Sequence, residues 1–484
     1  MTDLLDDLDP TYGVLIGGTW RAGGAGVADV QDPADLSVVA QVSDGDVADA
    51  VAAVDAADAA FEGWRRTPPR ERSEILMRAF HLMRDDADRI AELIVAENGK
   101  SLADARSEVV YAAEFFRWFA EEAVREPGSH YAESPAGGTR TIVTSRPVGV
   151  AALVTPWNFP AAMATRKLAP ALAAGCTTVL KPAMETPLTA LAIARILERA
   201  GVPAGVVNAV PSSDAAGVVS TWLGDARVRK ISFTGSTRVG SLLLKQAADR
   251  VVNSSMELGG NAAFVVTDDA DLDAAVAGAM VAKFRNGGQA CTAANRFYVH
   301  VGVAEEFVAR FGAAVEKLAV GPAKEGSDIG PLISAQAVEG LTKLVDDAVA
   351  GGARVAHRAE TPSSDGFFYP PTVLVDVPAD AALLDEELFG PVAPIVTWED
   401  DDEVVRLVNA PDVGLAAYVY STDLQRALRL GEAFEAGMVG VNRGAISDPS
   451  APFGGMKQSG LGREGAREGL DEFRETQYLS LAWH

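Results

Sequence analysis

A chain of 484 residues, 48% hydrophobic and 23% charged, has the composition of a folded protein with room for roughly two or three cores. Its formal net charge of −25 excludes generic nucleic-acid binding, which needs a basic surface to displace counterions from phosphates. Two cysteines, Cys176 and Cys291, exclude a disulfide framework and a thiolate-built zinc centre, and the five histidines share no ligand spacing, so no metal is expected.

Residues 1–10 are acidic and lack the basic and apolar regions of a secretory signal, and no apolar run nears the roughly 20 residues that cross a bilayer. The chain therefore reads as cytoplasmic. From residue 46 to 124, charged and apolar residues alternate at helical spacing, interrupted by Pro68-Pro69 and Asn98-Gly99, which predicts several amphipathic helices. From about residue 141, short β-branched runs (149–155, 177–180, 230–234 and 262–267) alternate with alanine-rich helical stretches. A second such series spans 296–433. Strands alternating with helices imply an α/β fold with parallel sheets covered on both faces. Residues 127–141 and 465–484 fit neither series. Leu470, Phe473, Tyr478, Leu479, Leu481 and Trp483 are too apolar for a free tail and must bury against this chain or another subunit.

Four segments carry chemistry. In residues 155–160, Pro156 and Pro160 hold Asn158, whose amide could donate to a developing oxyanion or simply serve a turn. Gly235 to Gly240 opens a helix after the strand expected at 230–234, where free N–H groups and the helix dipole favour an anion. Glu257 closes a strand just before Gly259 and Gly260, which permit close backbone approach; read alone, such a glutamate also suits a structural role. Leu272, Val276, Met280 and Phe284 recur every four residues, predicting a helix with one buried stripe that Asn286-Gly287-Gly288 should stop. Cys291 then lies in a turn among small residues, a place for a nucleophile, although a small buried hydrophobe would fit there too. Cys176, inside the apolar run 171–180, reads as core.

Taken together the segments resemble the aldehyde dehydrogenase family from about Asp32 to the carboxyl terminus. The match is carried by Pro156-Trp157-Asn158, Lys181-Pro182-Ala183, Phe233-Thr234-Gly235-Ser236-Thr237, Glu257-Leu258-Gly259-Gly260 and Gly288-Gln289-Ala290-Cys291-Thr292. Further along it is carried by Glu387-Leu388-Phe389-Gly390-Pro391, Pro452-Phe453-Gly454-Gly455 and Ser459 to Glu464. The resemblance implies two Rossmann-type parallel-sheet domains plus a small oligomerisation β-element. Residues 1–126 and 142–256 would bind the cofactor, 257–450 would form the catalytic domain, and 127–141 with 465–484 the oligomerisation element of a homodimer or homotetramer. It also implies that Cys291 attacks the aldehyde carbon and that Asn158 with the Cys291 N–H holds the oxyanion. Glu257 then activates water to release the acid, which argues against the branch that transfers the acyl group to a thiol. Trp157, Lys181, Met184, Gly235, Ser236, Leu258, Glu387 and Phe389 are the implied cofactor contacts. Many relatives carry a glutamate three residues after the lysine, gripping the adenosine ribose; Met184 stands there, and Arg238 adds nearby positive charge unless it is merely a solvated helix residue. NADP is therefore favoured over NAD.

Within the family the chain looks most like the succinate-semialdehyde dehydrogenases, on residues 159–167, 283–286, 294–297 and 390–394. In that group two arginines and a serine bind the distal carboxylate of the substrate; they match Arg166, Arg285 and Ser447. Arg166 could instead be a surface cation and Arg285 a helix-terminal charge. Two departures stand out. Ala293 replaces a second cysteine common in the group, so no redox switch is expected, and Arg443, where the group has a small or acidic residue, leaves glutarate semialdehyde or another aldehyde open. A non-catalytic protein of the same fold is the remaining alternative.

Overall fold

The computed structural model describes residues 11–125, 130–378 and 380–483. The expectations placed on residues 1–10, and on 127–129 of the proposed oligomerisation element, lie outside the described residues. Among the described residues the fold is α/β, built on two large sheets and three small ones, one of which holds the carboxyl-terminal strand.

The first large sheet has eight strands in the order Gly460–Leu461, Asn253–Glu257, Val228–Thr234, Val150–Val154, Thr177–Lys181, Val207–Ala209, Val14–Ile16 and Thr19–Arg21. The five strands from Asn253–Glu257 to Val207–Ala209 run parallel, and antiparallel strands flank them at both ends. Val150–Val154 and Thr177–Lys181 are buried at every position, as parallel strands covered on both faces must be. One face packs on Val47–Arg66, Ala215–Gly224 and Thr237–Ala248, the other on Pro160–Ala174, Pro187–Ala200 and Leu102–Val124.

The chain passes straight from Glu257, through residues 258–261, into Ala262–Val266 of the second sheet. That sheet has seven strands in the order Arg354–Arg358, Thr372–Val375, Val392–Trp398, Ala294–His300, Ala262–Val266, Ala416–Tyr420 and Met438–Val441. All neighbours are parallel except the first pair. The third sheet is antiparallel: Arg474–Ala482 pairs along the whole of Thr139–Pro147, which also pairs with His130–Glu133.

In the first sheet, register aligns Thr234 with Glu257, and Val154 with both Phe233 and Lys181. Their carboxyl ends therefore deliver Asn158, Lys181, Gly235 and Glu257 to one sheet edge, where open α/β sheets bind ligands. The helix before Cys291 departs in detail from its expected stripe. Val276 and Met280 are only half-buried, and the deepest face is Ala275, Gly278, Ala279 and Ala282. The reason is close approach: a Cβ on Gly278 would lie 1.7 Å from the Tyr420 hydroxyl. The apolar tail divides in two. Leu470 and Phe473 join the core beneath the first sheet, whereas Tyr478, Leu479, Leu481 and Trp483 are exposed.

Candidate active site

Asn158 is fixed through its backbone. Its carbonyl accepts from Lys100 Nζ at 2.7 Å and from Asn286 Nδ2 at 2.8 Å, and the preceding Trp157 carbonyl accepts from Asn98 Nδ2 at 3.1 Å and Thr186 Oγ1 at 3.2 Å. The Asn158 Nδ2 donates one hydrogen to the Gln289 carbonyl at 3.1 Å, which orients the amide and leaves its second hydrogen uncommitted. Lys100 is buried and pairs with Glu108 at 2.6 Å; the other Glu108 oxygen accepts from the N–H groups of Ala161 and Ala162. That carboxylate thus caps the helix Pro160–Ala174, meeting its free donors and the positive end of its dipole.

Cys291 sits past a turn that the sequence specifies residue by residue. Asn286, Gly287 and Gly288 have φ of 53°, 60° and 78°, left-handed values that glycine adopts without strain and asparagine tolerates. A Cβ on Gly288 would meet the Gly390 carbonyl at 2.3 Å, so glycine is required there. Cys291 is half-buried. Burial pushes its thiol up to about 12; Arg166 opposes this most strongly, Glu387 and Glu257 reinforce it, and Arg285 opposes it.

Two cavities meet at Cys291, sharing that residue with Phe159 and Met163. The first is lined by Trp157, Asn158, Gly235, Ser236, Glu257, Leu258, Glu387 and Phe389, and so gathers most of the expected cofactor contacts around the nucleophile. Trp157 and Phe389 meet edge to face at 5.4 Å. Ser236 caps the helix Thr237–Ala248, leaving the N-terminal amides of that helix toward the groove. Glu387 accepts from the Gly260 N–H at 3.2 Å, and burial raises its pKa to about 7. A Cβ on Gly259 would come within 2.7 Å of Glu387, so the missing side chain keeps this wall clear. Apolar flat walls, an anion-favouring helix terminus and an acidic acceptor are what a nicotinamide dinucleotide requires. Lys181 and Met184 do not line the part of the groove that reaches Cys291; Lys181 Nζ donates to the Pro182 carbonyl at 3.1 Å, and Met184 is half-buried.

Glu257 lines this groove with both carboxyl oxygens buried and without a hydrogen-bond partner. Burial first, then the nearby Glu464, hold its pKa well above the usual carboxylate range, against the pull of Arg166, Lys167 and Arg463. Glu464 itself stays below its ordinary value despite burial, because Lys167 at 2.6 Å and Arg166 at 2.5 Å clamp it. Sequence reasoning left Glu464 without a role, although it ends one of the motifs.

The second cavity is lined by Arg166, Arg285, Ser447, Tyr111 and Phe453 together with Asp104, Glu108 and Cys291. Arg166, considered above as a possible surface cation, is buried; its guanidinium stacks 4.1 Å from the Phe453 ring. Arg285 lies 5.2 Å from the Phe159 ring and, among the described residues, forms no ion pair. Arg443 is exposed, as is Arg238 on the helix Thr237–Ala248. Ala293 is buried, and Cys176 is sealed in the core with its thiol pushed up to about 11 by burial. Both cysteines are free.

A model of the aldehyde dehydrogenase family matches residues 20–479. The chain is 53% identical to a succinate-semialdehyde dehydrogenase of Paenarthrobacter nicotinovorans, over 87% of this chain and 93% of that protein. It is 49% identical to a glutarate-semialdehyde dehydrogenase of Pseudomonas putida, over 87% of this chain and 88% of that one. Among solved structures, an NADP-dependent enzyme of E. coli superposes with a TM-score of 0.96 at 46% identity, covering 98% of each chain.

Proposed function

We propose that this chain, which belongs to the aldehyde dehydrogenase family, oxidises succinate semialdehyde to succinate with NAD(P)+. The observation that carries the substrate is the cavity ending on Cys291. Arg285, which forms no ion pair among the described residues, lines it beside Arg166 and Ser447, which suits an aldehyde with a carboxylate at its far end.

Cys291 adds as its thiolate to the aldehyde carbon, with Arg166 and Arg285 stabilising the sulfur's charge. The free hydrogen of Asn158 Nδ2 and the Cys291 backbone N–H hold the oxygen that becomes negative. Trp157, Gly235, Ser236, Leu258, Glu387 and Phe389 would hold the dinucleotide, with Lys181 and Met184 toward its adenosine end. When bound, the nicotinamide supplies the two-electron acceptor for the aldehyde hydrogen, and the acyl group stays on Cys291 as a thioester. Glu257 takes a proton from water, which attacks the thioester carbon; the thiolate leaves and succinate is freed. A carboxylate with a raised pKa, its oxygens unoccupied by protein donors, is suited to that transfer.

We read residues 1–126 and 142–256 as the cofactor domain, 257–450 as the catalytic domain, and 127–141 with 465–484 as the assembly element of a homo-oligomer. NADP is favoured because Met184 neither binds the ribose hydroxyls nor repels a 2′-phosphate, and the exposed Arg238 adds positive charge. Glutarate semialdehyde is the second reading, supported by Arg443 in the segment that holds Ser447.

The test is kcat/KM for succinate semialdehyde against butanal, an uncharged aldehyde of equal length, with each cofactor. Charge-assisted hydrogen bonds of about 1.5–3 kcal/mol predict a preference of roughly ten- to a hundredfold for the carboxylated substrate. Equal values would overturn the substrate assignment.

A further inference from the structure

Tyr111 projects from the helix Leu102–Val124 into the cavity that holds Cys291, Arg166, Arg285 and Ser447. Its ring is held edge to face against Phe115 at 5.0 Å. Its hydroxyl is sealed from solvent and has no acceptor on the protein. A buried O–H without an acceptor costs about 1–3 kcal/mol, so such a group calls for a function.

Arg166 supplies the context. Its Nε is committed to Glu464 at 2.5 Å, one terminal nitrogen faces Met163 Sδ at 3.2 Å, and its flat face rests on Phe453. Much of its charge is therefore neutralised inside the protein. Arg166 and Arg285 both favour negative charge on the Tyr111 phenol, and Arg166 donates to its oxygen, which leaves the O–H itself to find an acceptor. Tyr111, Arg166 and Arg285 line one cavity, so an anion drawn into it by the guanidinium groups would meet the phenol.

We infer that Tyr111 is a specificity-determining residue, donating its O–H to the distal carboxylate of the substrate alongside Arg285 and Ser447. The inference rests on the carboxylated-aldehyde reading and extends it. The phenol donates a neutral hydrogen bond and takes no part in the chemistry at Cys291. Its contribution is to substrate binding, and it disappears when the substrate has no carboxylate.

The test is Tyr111→Phe, which removes one oxygen and keeps the ring that packs on Phe115. For succinate semialdehyde, KM is expected to rise about tenfold with kcat within twofold of wild type; for butanal, neither constant should move by more than about twofold. Equal losses on both aldehydes, or no loss on either, would overturn the inference, as would a fall in kcat with KM unchanged. Wild-type selectivity measured alongside separates the two levels. No wild-type preference for succinate semialdehyde brings down the substrate reading and this inference together. A preference that survives unchanged in Tyr111→Phe brings down the inference alone. A matched melting temperature establishes that the variant is folded.

Discussion

At Cys291 the protein keeps a thiol that burial pushes up to about 12, in a cavity where two arginines favour the thiolate and two carboxylates oppose it. Burial thus favours the thiol over the thiolate at neutral pH. Its alkylation by iodoacetamide should accelerate about tenfold per pH unit between pH 7 and 10; a plateau already present at pH 7 would contradict this. Cys291→Ala should abolish both dehydrogenase activity and the hydrolysis of an activated ester, since both require the same acyl-sulfur bond. Glu257→Gln should release about one NAD(P)H per site in a burst and then turn over slowly, because the acyl group forms but its water is not activated. In the wild type, deacylation should fall as pH drops through the raised pKa of Glu257, since the protonated acid cannot accept water's proton. The Gln variant should lack that acid limb, and a normal steady-state rate would remove Glu257 from its role. Cys291, Glu257 and Asn158 were legible in the sequence because glycines and prolines mark their turns. Glu464, Lys100 and Tyr111 were not. Lys167 meets Glu464 across 297 positions of chain, and no local pattern announces such a contact.

The helix Leu272–Phe284 shows how an element can be read correctly in kind and still be turned differently from its apolar periodicity. Large residues every four positions marked a stripe, but the tightest packing occurs where Gly278 and the alanines let the neighbouring strand approach. Side-chain size records hydrophobicity better than it records closeness. The same helix buries Lys283, whose ammonium has Asn295 Oδ1 at 2.9 Å as its hydrogen-bond partner. Desolvation lowers its pKa to about 7, with Glu387 opposing. A lysine depressed in the folded state is still protonated when unfolded up to its ordinary value of about 10.4, so the unfolded chain binds more protons between those limits. Stability from this residue is therefore lost as pH falls toward 7 and recovered as pH rises. Relative to Lys283→Met, the wild type should gain melting temperature from pH 7 to pH 9.5. A difference independent of pH would show that Lys283 keeps its proton throughout.

On the scale of the whole molecule, two parallel-sheet halves were legible because their strands announce themselves as β-branched runs. The pairing of Gly460–Leu461 with the first sheet was not, since two residues carry no periodicity. Among the described residues no helix is long and apolar enough to cross a membrane. The carboxyl-terminal strand leaves Tyr478 67% exposed on one face of its small sheet and Leu479, Leu481 and Trp483 (50%) exposed on the other, apolar groups suited to cover by another subunit. Replacing Tyr478, Leu479 and Leu481 by serine should lower the mass seen in sedimentation equilibrium by at least half; an unchanged mass would place the contact elsewhere. The two cavities, finally, approach Cys291 with nearly separate linings, sharing only that residue, Phe159 and Met163. Substitutions on the helix Leu102–Val124 or near Ser447 can therefore retune the aldehyde without disturbing the dinucleotide groove, and the reverse also holds. Descent can vary the two preferences independently, so a new substrate need not be acquired at the expense of the old cofactor.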